Sequence, residues 1–153
     1  MKSLKLIATV SSRIKLGGIQ HDSETGDFFY VGSSYRPDGH FVSRMDYAGN
    51  LIWGKAYNNP SLAHGGSNHT LEYSPSYKTL YYTLYSSPKL LLKVNSLNGV
   101  VLNSFEIPEA FGREKLSLSR DELALYGSIR KSSNELVLFR FDTTTSRINT
   151  KII

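Results

Sequence analysis

Histidines and a few clustered acids are the residues of this 153-residue chain whose types and spacing could do chemistry. His64 and His69 flank the segment Gly-Gly-Ser-Asn. Two imidazoles five residues apart can share a metal ion if the glycines fold the chain back between them. No carboxylate follows at a ligand-like interval, so the segment reads as a surface loop with incidental histidines. A second group is His21, Asp22, Glu24 and Asp27 around Gly26. Three acids so close suggest a calcium loop, but the alternating oxygen ligands and the closing bidentate glutamate are missing. A polar β-turn fits them better. A third group is aromatic: Tyr73, Tyr77, Tyr81, Tyr82 and Tyr85. Aromatic faces can stack on sugar rings, although alternate tyrosines in a strand more often pack one sheet on another. His64, His69, Tyr81 and Tyr85 are the candidate ligand-binding residues.

Other chemistries find no footing. The chain has no GxSxG elbow, phosphate loop or dinucleotide fingerprint, and Gly17-Gly18 and Gly65-Gly66 fit none of them. Its serines, histidines and aspartates show no spacing that singles out a triad. The absence of cysteine excludes disulfides, zinc–thiolate sites and a cysteine nucleophile. The expectation is no catalytic residue, no metal and no cofactor. Net charge is +5, with four basic residues and no acid in 1–21 and eight basic against five acidic residues in 113–153. No Lys/Arg run exceeds Arg130-Lys131, and no nucleic-acid module is visible, so nucleic acid is a poor partner. An acidic protein or anionic surface fits the charge better. No stretch approaches the roughly 18–20 apolar residues of a membrane helix. Leu4 to Val10, broken by Lys5, is short for a signal-peptide core and reads as a strand of a soluble chain. Asn68-His-Thr70 is a glycosylation sequon that matters only in an exported protein.

The elements that would position these residues announce themselves by repetition. Phe41-Val-Ser-Arg-Met-Asp46, Leu90-Leu-Leu-Lys-Val-Asn95 and Val137-Leu-Phe-Arg-Phe-Asp142 share one phrase: an apolar start, a basic residue, an apolar residue, then Asp or Asn. Arg44, Lys93 and Arg140 recur about every 48 residues, a period that signals repeat architecture. Ahead of each phrase runs an aromatic, aliphatic segment (27–34, 79–86, 122–128) with the composition of a strand buried on both faces. After each phrase come a turn and an alternating outer strand (51–57, 100–105, 147–153). A weaker strand candidate opens each unit. Each unit therefore predicts four antiparallel strands, the size of one propeller blade. Helical solenoids have similar periods, but no i, i+3, i+4 pattern is long enough for two helices per unit.

Residues 38–57, Asp-Gly-His-Phe-Val-Ser-Arg-Met-Asp-Tyr-Ala-Gly-Asn-Leu-Ile-Trp-Gly-Lys-Ala-Tyr, resemble the SBBP-type bacterial β-propeller repeat. The second unit keeps the core phrase without a Trp at the Trp53 position, and the third loses the Gly-Asn turn. The resemblance implies blade packing and no shared active site, and it allows a cell-surface or extracellular setting. Three positions carry it structurally. Asp46, Asn95 and Asp142 end the third strand, where a short acceptor can satisfy turn amides. Arg44, Lys93 and Arg140 alternate to the same face and are expected to pack their stems, or make charged contacts, between blades. Trp53 marks the fourth strand.

The fold expectation is all-β: a single domain of three four-stranded units (about 11–59, 66–107 and 113–153) behind an N-terminal strand at 4–10. Propellers typically have 4–8 blades, so three leave two apolar faces open. The functional expectation is a noncatalytic module that self-associates or docks on another protein. A carbohydrate-binding propeller is the alternative, and a hydrolase or lyase using His64, His69 or Asp22 a further one.

Overall fold

A computed structural model describes residues 14–34, 40–57, 70–84, 90–107, 114–130 and 135–153. All of its regular structure is strand. β1 (Ile14–His21), β2 (Phe28–Ser34), β3 (His40–Met45) and β4 (Leu51–Tyr57) form one antiparallel sheet in that order. β5 (Leu71–Ser74), β6 (Thr79–Leu84), β7 (Leu90–Asn95) and β8 (Val101–Glu106) form a second. β9 (Glu114–Leu118), β10 (Ala124–Arg130), β11 (Leu136–Asp142) and β12 (Ile148–Ile152) form a third. Among the described residues no helix is long and apolar enough to cross a membrane.

Local chemistry sets the boundaries. β-Branched, aromatic and leucine side chains fill the strands, and polar turns separate them. Between the third and fourth strand of each sheet the chain needs a left-handed residue, supplied by Gly49 (φ 92°), Gly99 (φ 70°) and Ser146 (φ 59°). The acceptor before each turn ties it together. Asp46 Oδ1 accepts from the amides of Ala48 and Asn50, Asn95 Oδ1 from that of Leu97, and Asp142 Oδ1 from those of Thr144 and Thr145. Sheets one and two share a further device. Arg44 pairs with Trp53 and Met45 with Leu51, leaving Ile52 as a bulge. Lys93 pairs with Asn103 and Val94 with Val101, leaving Leu102 at the same place. Sheet three pairs without a break there.

The sheets stack face to face in chain order, with the first strands adjoining: β1 against β5, and β5 against β9. Two apolar clusters fill the gaps. One joins Phe29, Val31 and Val42 to Leu80, Tyr82 and Val94. The other joins Tyr81 and Leu91 to Leu125, Phe139 and Phe141. The sheets do not close on themselves. One expectation needs correcting here. Of the three second strands, among the described residues, only β6 is buried on both faces, because only the middle sheet has a neighbour on each side; in β10, Tyr126 is exposed. The anticipated strand at 4–10 lies outside the described residues.

Candidate interaction faces

Each sheet has a rear face, toward the preceding sheet, and a forward face, toward the next. The forward faces share one signature. At the same rung of the ladder an aromatic residue of the second strand stands opposite the basic residue of the third: Phe29 with Arg44, Tyr81 with Lys93, Tyr126 with Arg140. In sheet one this pair is covered. Arg44 is buried, and its guanidinium lies 5.6 Å from the Phe29 ring centroid. It forms an ion pair of 2.5 Å with Asp27, which also accepts from Nε at 2.7 Å. Its remaining nitrogen donates at 3.4 Å to the Ser96 carbonyl of sheet two. The same carbonyl accepts from Trp53 Nε1 at 3.0 Å, and Tyr57 donates to the Gly99 carbonyl at 3.0 Å. Lys93 is half-buried at the second junction. Arg140 is exposed and meets only its own sheet, with Asp142 at 3.5 Å and the Tyr126 hydroxyl beside it.

The turns and first strands add polar ties. Asp22, 2 % exposed, accepts from the Tyr73 hydroxyl at 2.9 Å and from the Glu24 amide at 3.0 Å. Burial alone would push its carboxyl up, but these hydrogen bonds and the Lys78 charge outweigh it and hold the group below the usual aspartate value. Lys78 pairs with Glu24. Glu122 receives the Ser74 hydroxyl, together with the Ser76 amide and hydroxyl. On the first strands, Gln20 donates to the Leu71 carbonyl at 2.8 Å. Glu72 occupies the matching place in sheet two; burial raises its pKa, partly offset by a hydrogen bond from the Leu118 amide.

The acids grouped in the sequence thus serve as mortar. Asp22, Glu24 and Asp27 each hold a different partner. Among the described residues no cluster of three metal-ligating side chains occurs. Tyr81 is fully buried between sheets two and three, 6.0 Å from the Phe141 ring, and burial pushes its hydroxyl up to about 12. Its ring cannot receive a sugar, which corrects its place among the ligand-binding candidates. His64, His69 and Tyr85 lie outside the described residues.

No family model matches the chain, and no curated protein does. Solved structures do. A crystal structure from Bacteroides fragilis, provisionally named a 6-phosphogluconolactonase, matches with a TM-score of 0.60 and 17 % identity over 90 % of this chain and 38 % of its own. BamB from Moraxella catarrhalis matches with a TM-score of 0.51 and 14 % identity over 90 % of this chain and 52 % of its own. Both are β-propellers. The fold is that of propeller blades. At these identities the likeness carries the fold and nothing further, and the chain spans roughly two fifths to one half of the structures it matches.

Seen as blades, the two ends are unlike. The rear face of blade one carries Phe28, Tyr30, Phe41 and Met45, with Ile19 (68 %) and Leu51 (63 %) well exposed. Among the described side chains, strand alternation puts one basic residue on it, His21, whose ring lies 5.1 Å from that of Phe28. Tyr30 and Phe41 meet edge-on at 5.9 Å. The forward face of blade three carries the uncovered Tyr126–Arg140 pair and Leu138, with Lys115 and Lys151 at its margins. A shallow concavity of about 260 Å³ lies among Lys115, Ser117, Tyr126, Ser128 and Leu138. Sequence reasoning singled out Arg140 but missed Tyr126; its signal was the repeat itself, which places an aromatic residue at 29, 81 and 126.

Proposed function

We propose that the chain is a noncatalytic propeller module whose end blades dock protein, either a copy of itself or another chain. One observation carries this reading: both end faces present apolar side chains at positions that blades one to three bury wherever a neighbouring blade exists. Large exposed apolar surfaces mark interaction sites. The engagement of Asp22, Glu24 and Glu122 in ties between blades, and of Asp27 in its ion pair with Arg44 within blade one, supports a noncatalytic role, since each is committed to a structural contact. The resemblance of residues 38–57 to SBBP-type repeats belongs to the same reading. The test is the mass of the purified chain by size-exclusion chromatography with light scattering, alongside binding of a dye that reports exposed apolar surface. An assembly, or a dye-binding monomer that loses the dye on meeting a partner, is expected. A monodisperse monomer that excludes the dye overturns the reading.

A further inference from the structure

We infer that the docking partner is a second copy of this chain, joined head to tail: the forward face of blade three seats on the rear face of blade one of the other copy. The inference rests on the assembly reading above and names its partner. Its first support is positional. Inside the chain, forward faces meet rear faces twice, and the two open ends are one of each. Leu138 stands where Val42 packs into blade two, Tyr30 stands where Tyr82 receives it, and Ile19 matches Leu71. A forward face at one end and a rear face at the other are what a repeat needs to continue itself. Two copies joined at both ends give six blades, inside the range of closed propellers.

The second support is charge. Lys115, Arg140 and Lys151 outnumber Asp142 and make the blade-three face basic, while the rear face of blade one is largely aromatic, with His21 its one basic residue among the described side chains. A two-fold pairing of blade-three faces would set these cations against their own copies, which costs free energy. Pairing with the other end sets them over aromatic rings instead. The third support is polar. Arg44 reaches across the blade junction to the carbonyl of Ser96, the residue after Asn95 at the end of β7. Arg140 holds the same rung, and the matching carbonyl on an incoming blade one is that of Tyr47, after Asp46. The geometry of one junction thus predicts the contact of the other.

Cysteine cross-linking tests this without background, because the chain has no cysteine. Lys115 and Ile19 are both exposed. They correspond to Gly18 and Leu71, where a side chain at 18 would bring its Cβ to 3.1 Å from that of Leu71. One preparation carries Ile19→Cys, the other Lys115→Cys. On mild oxidation of an equal mixture, a heterodimer linked 19 to 115 is expected, and the doubly substituted chain should give a doubly linked dimer. Homodimers linked 115 to 115 or 19 to 19 as the main product overturn the inference. So does an assembly without the 19–115 link, although the broader assembly reading then stands; a monodisperse monomer that excludes dye removes both. As an independent readout, Arg140→Ala should weaken self-association by about tenfold while leaving the melting of the dissociated chain nearly unchanged. Unchanged association in that variant also overturns the inference.

Discussion

Arg44 and Asp27 show how a single residue's cost depends on what covers it. Each is less than a tenth exposed, and they neutralise one another at the junction of blades one and two. Removing either leaves a charge stranded in apolar surroundings, which costs about 3–5 kcal/mol. Arg44→Ala and Asp27→Ala should therefore each lower the urea midpoint strongly, and the double variant should lose less than the sum. Additive losses would mean the pair is not coupled. Arg140, on the same rung of blade three, is exposed, so Arg140→Ala should change the stability of the dissociated chain by only a few tenths of a kcal/mol. Glu72 makes the opposite point through pH. Burial raises its pKa above the ordinary value, so the ionised form is disfavoured in the folded state. Its contribution is full below the unfolded value, near pH 4.3, and is lost as pH rises through the folded value. Glu72→Gln keeps an acceptor for the Leu118 amide and removes the charge. The expected outcome is a gain in midpoint at pH 7 that vanishes below about pH 4. A gain of equal size at both pH values would show that charge is not the cause.

At the scale of elements, turns and bulges decide how blades meet. Gly99 sits at φ 70°, and a Cβ there would stand 2.7 Å from Lys55 Cγ and 2.8 Å from Trp53 Cε3 on the neighbouring blade. Gly99→Ala strains the backbone and also pushes on the blade junction. A loss of about 2 kcal/mol is expected, together with a shift in the emission of the single tryptophan. The matching turn of blade three carries a non-glycine residue, Ser146, at φ 59°. Ser146→Gly relieves the backbone alone and should stabilise by about 0.5–1 kcal/mol in thermal melts. A destabilised Ser146→Gly chain would show that the serine hydroxyl matters more than the backbone. These elements also mark what was legible in the residues. Strand count, turn positions and the acceptors Asp46, Asn95 and Asp142 follow from local chemistry and could be read directly. The pairing of Glu122 with Ser74 and Ser76, or of Asp22 with Tyr73, depends on how sheets lean on one another, which no local pattern encodes. Tyr81 lies in a run whose composition already read as buried on both faces, and its place among the ligand-binding candidates rested on its aromatic face alone. His64 and His69 fall in the sequence between β4 and β5, outside the described residues.

At the scale of the whole molecule, the two apolar clusters share no side chain. Phe29, Val42, Tyr82 and Val94 belong to the first junction, and Tyr81, Leu91, Phe139 and Phe141 to the second. The middle blade belongs to both, because its second strand sends Tyr82 one way and Tyr81 the other. Stability in such a stack is close to a sum of blade terms and junction terms, as in repeat proteins. The junctions can then be loosened separately. Trp53 lies at the first, donating its indole N–H to Ser96, and reports on that junction alone. Phe141 fills the second, 4.8 Å from Phe105 and 6.0 Å from Tyr81. Phe141→Ala removes a fully buried ring at a cost of about 3–5 kcal/mol. If the terms are separable, circular dichroism should show blade three melting early while the Trp53 emission transition keeps its midpoint. The converse variant, Val42→Ala, should move the Trp53 transition first. If instead both probes shift together by the same amount in Phe141→Ala, the three blades unfold as one unit. Strong coupling through the middle blade would then replace the sum of junctions, and closure by a second copy would have to stabilise both junctions equally rather than the ends alone.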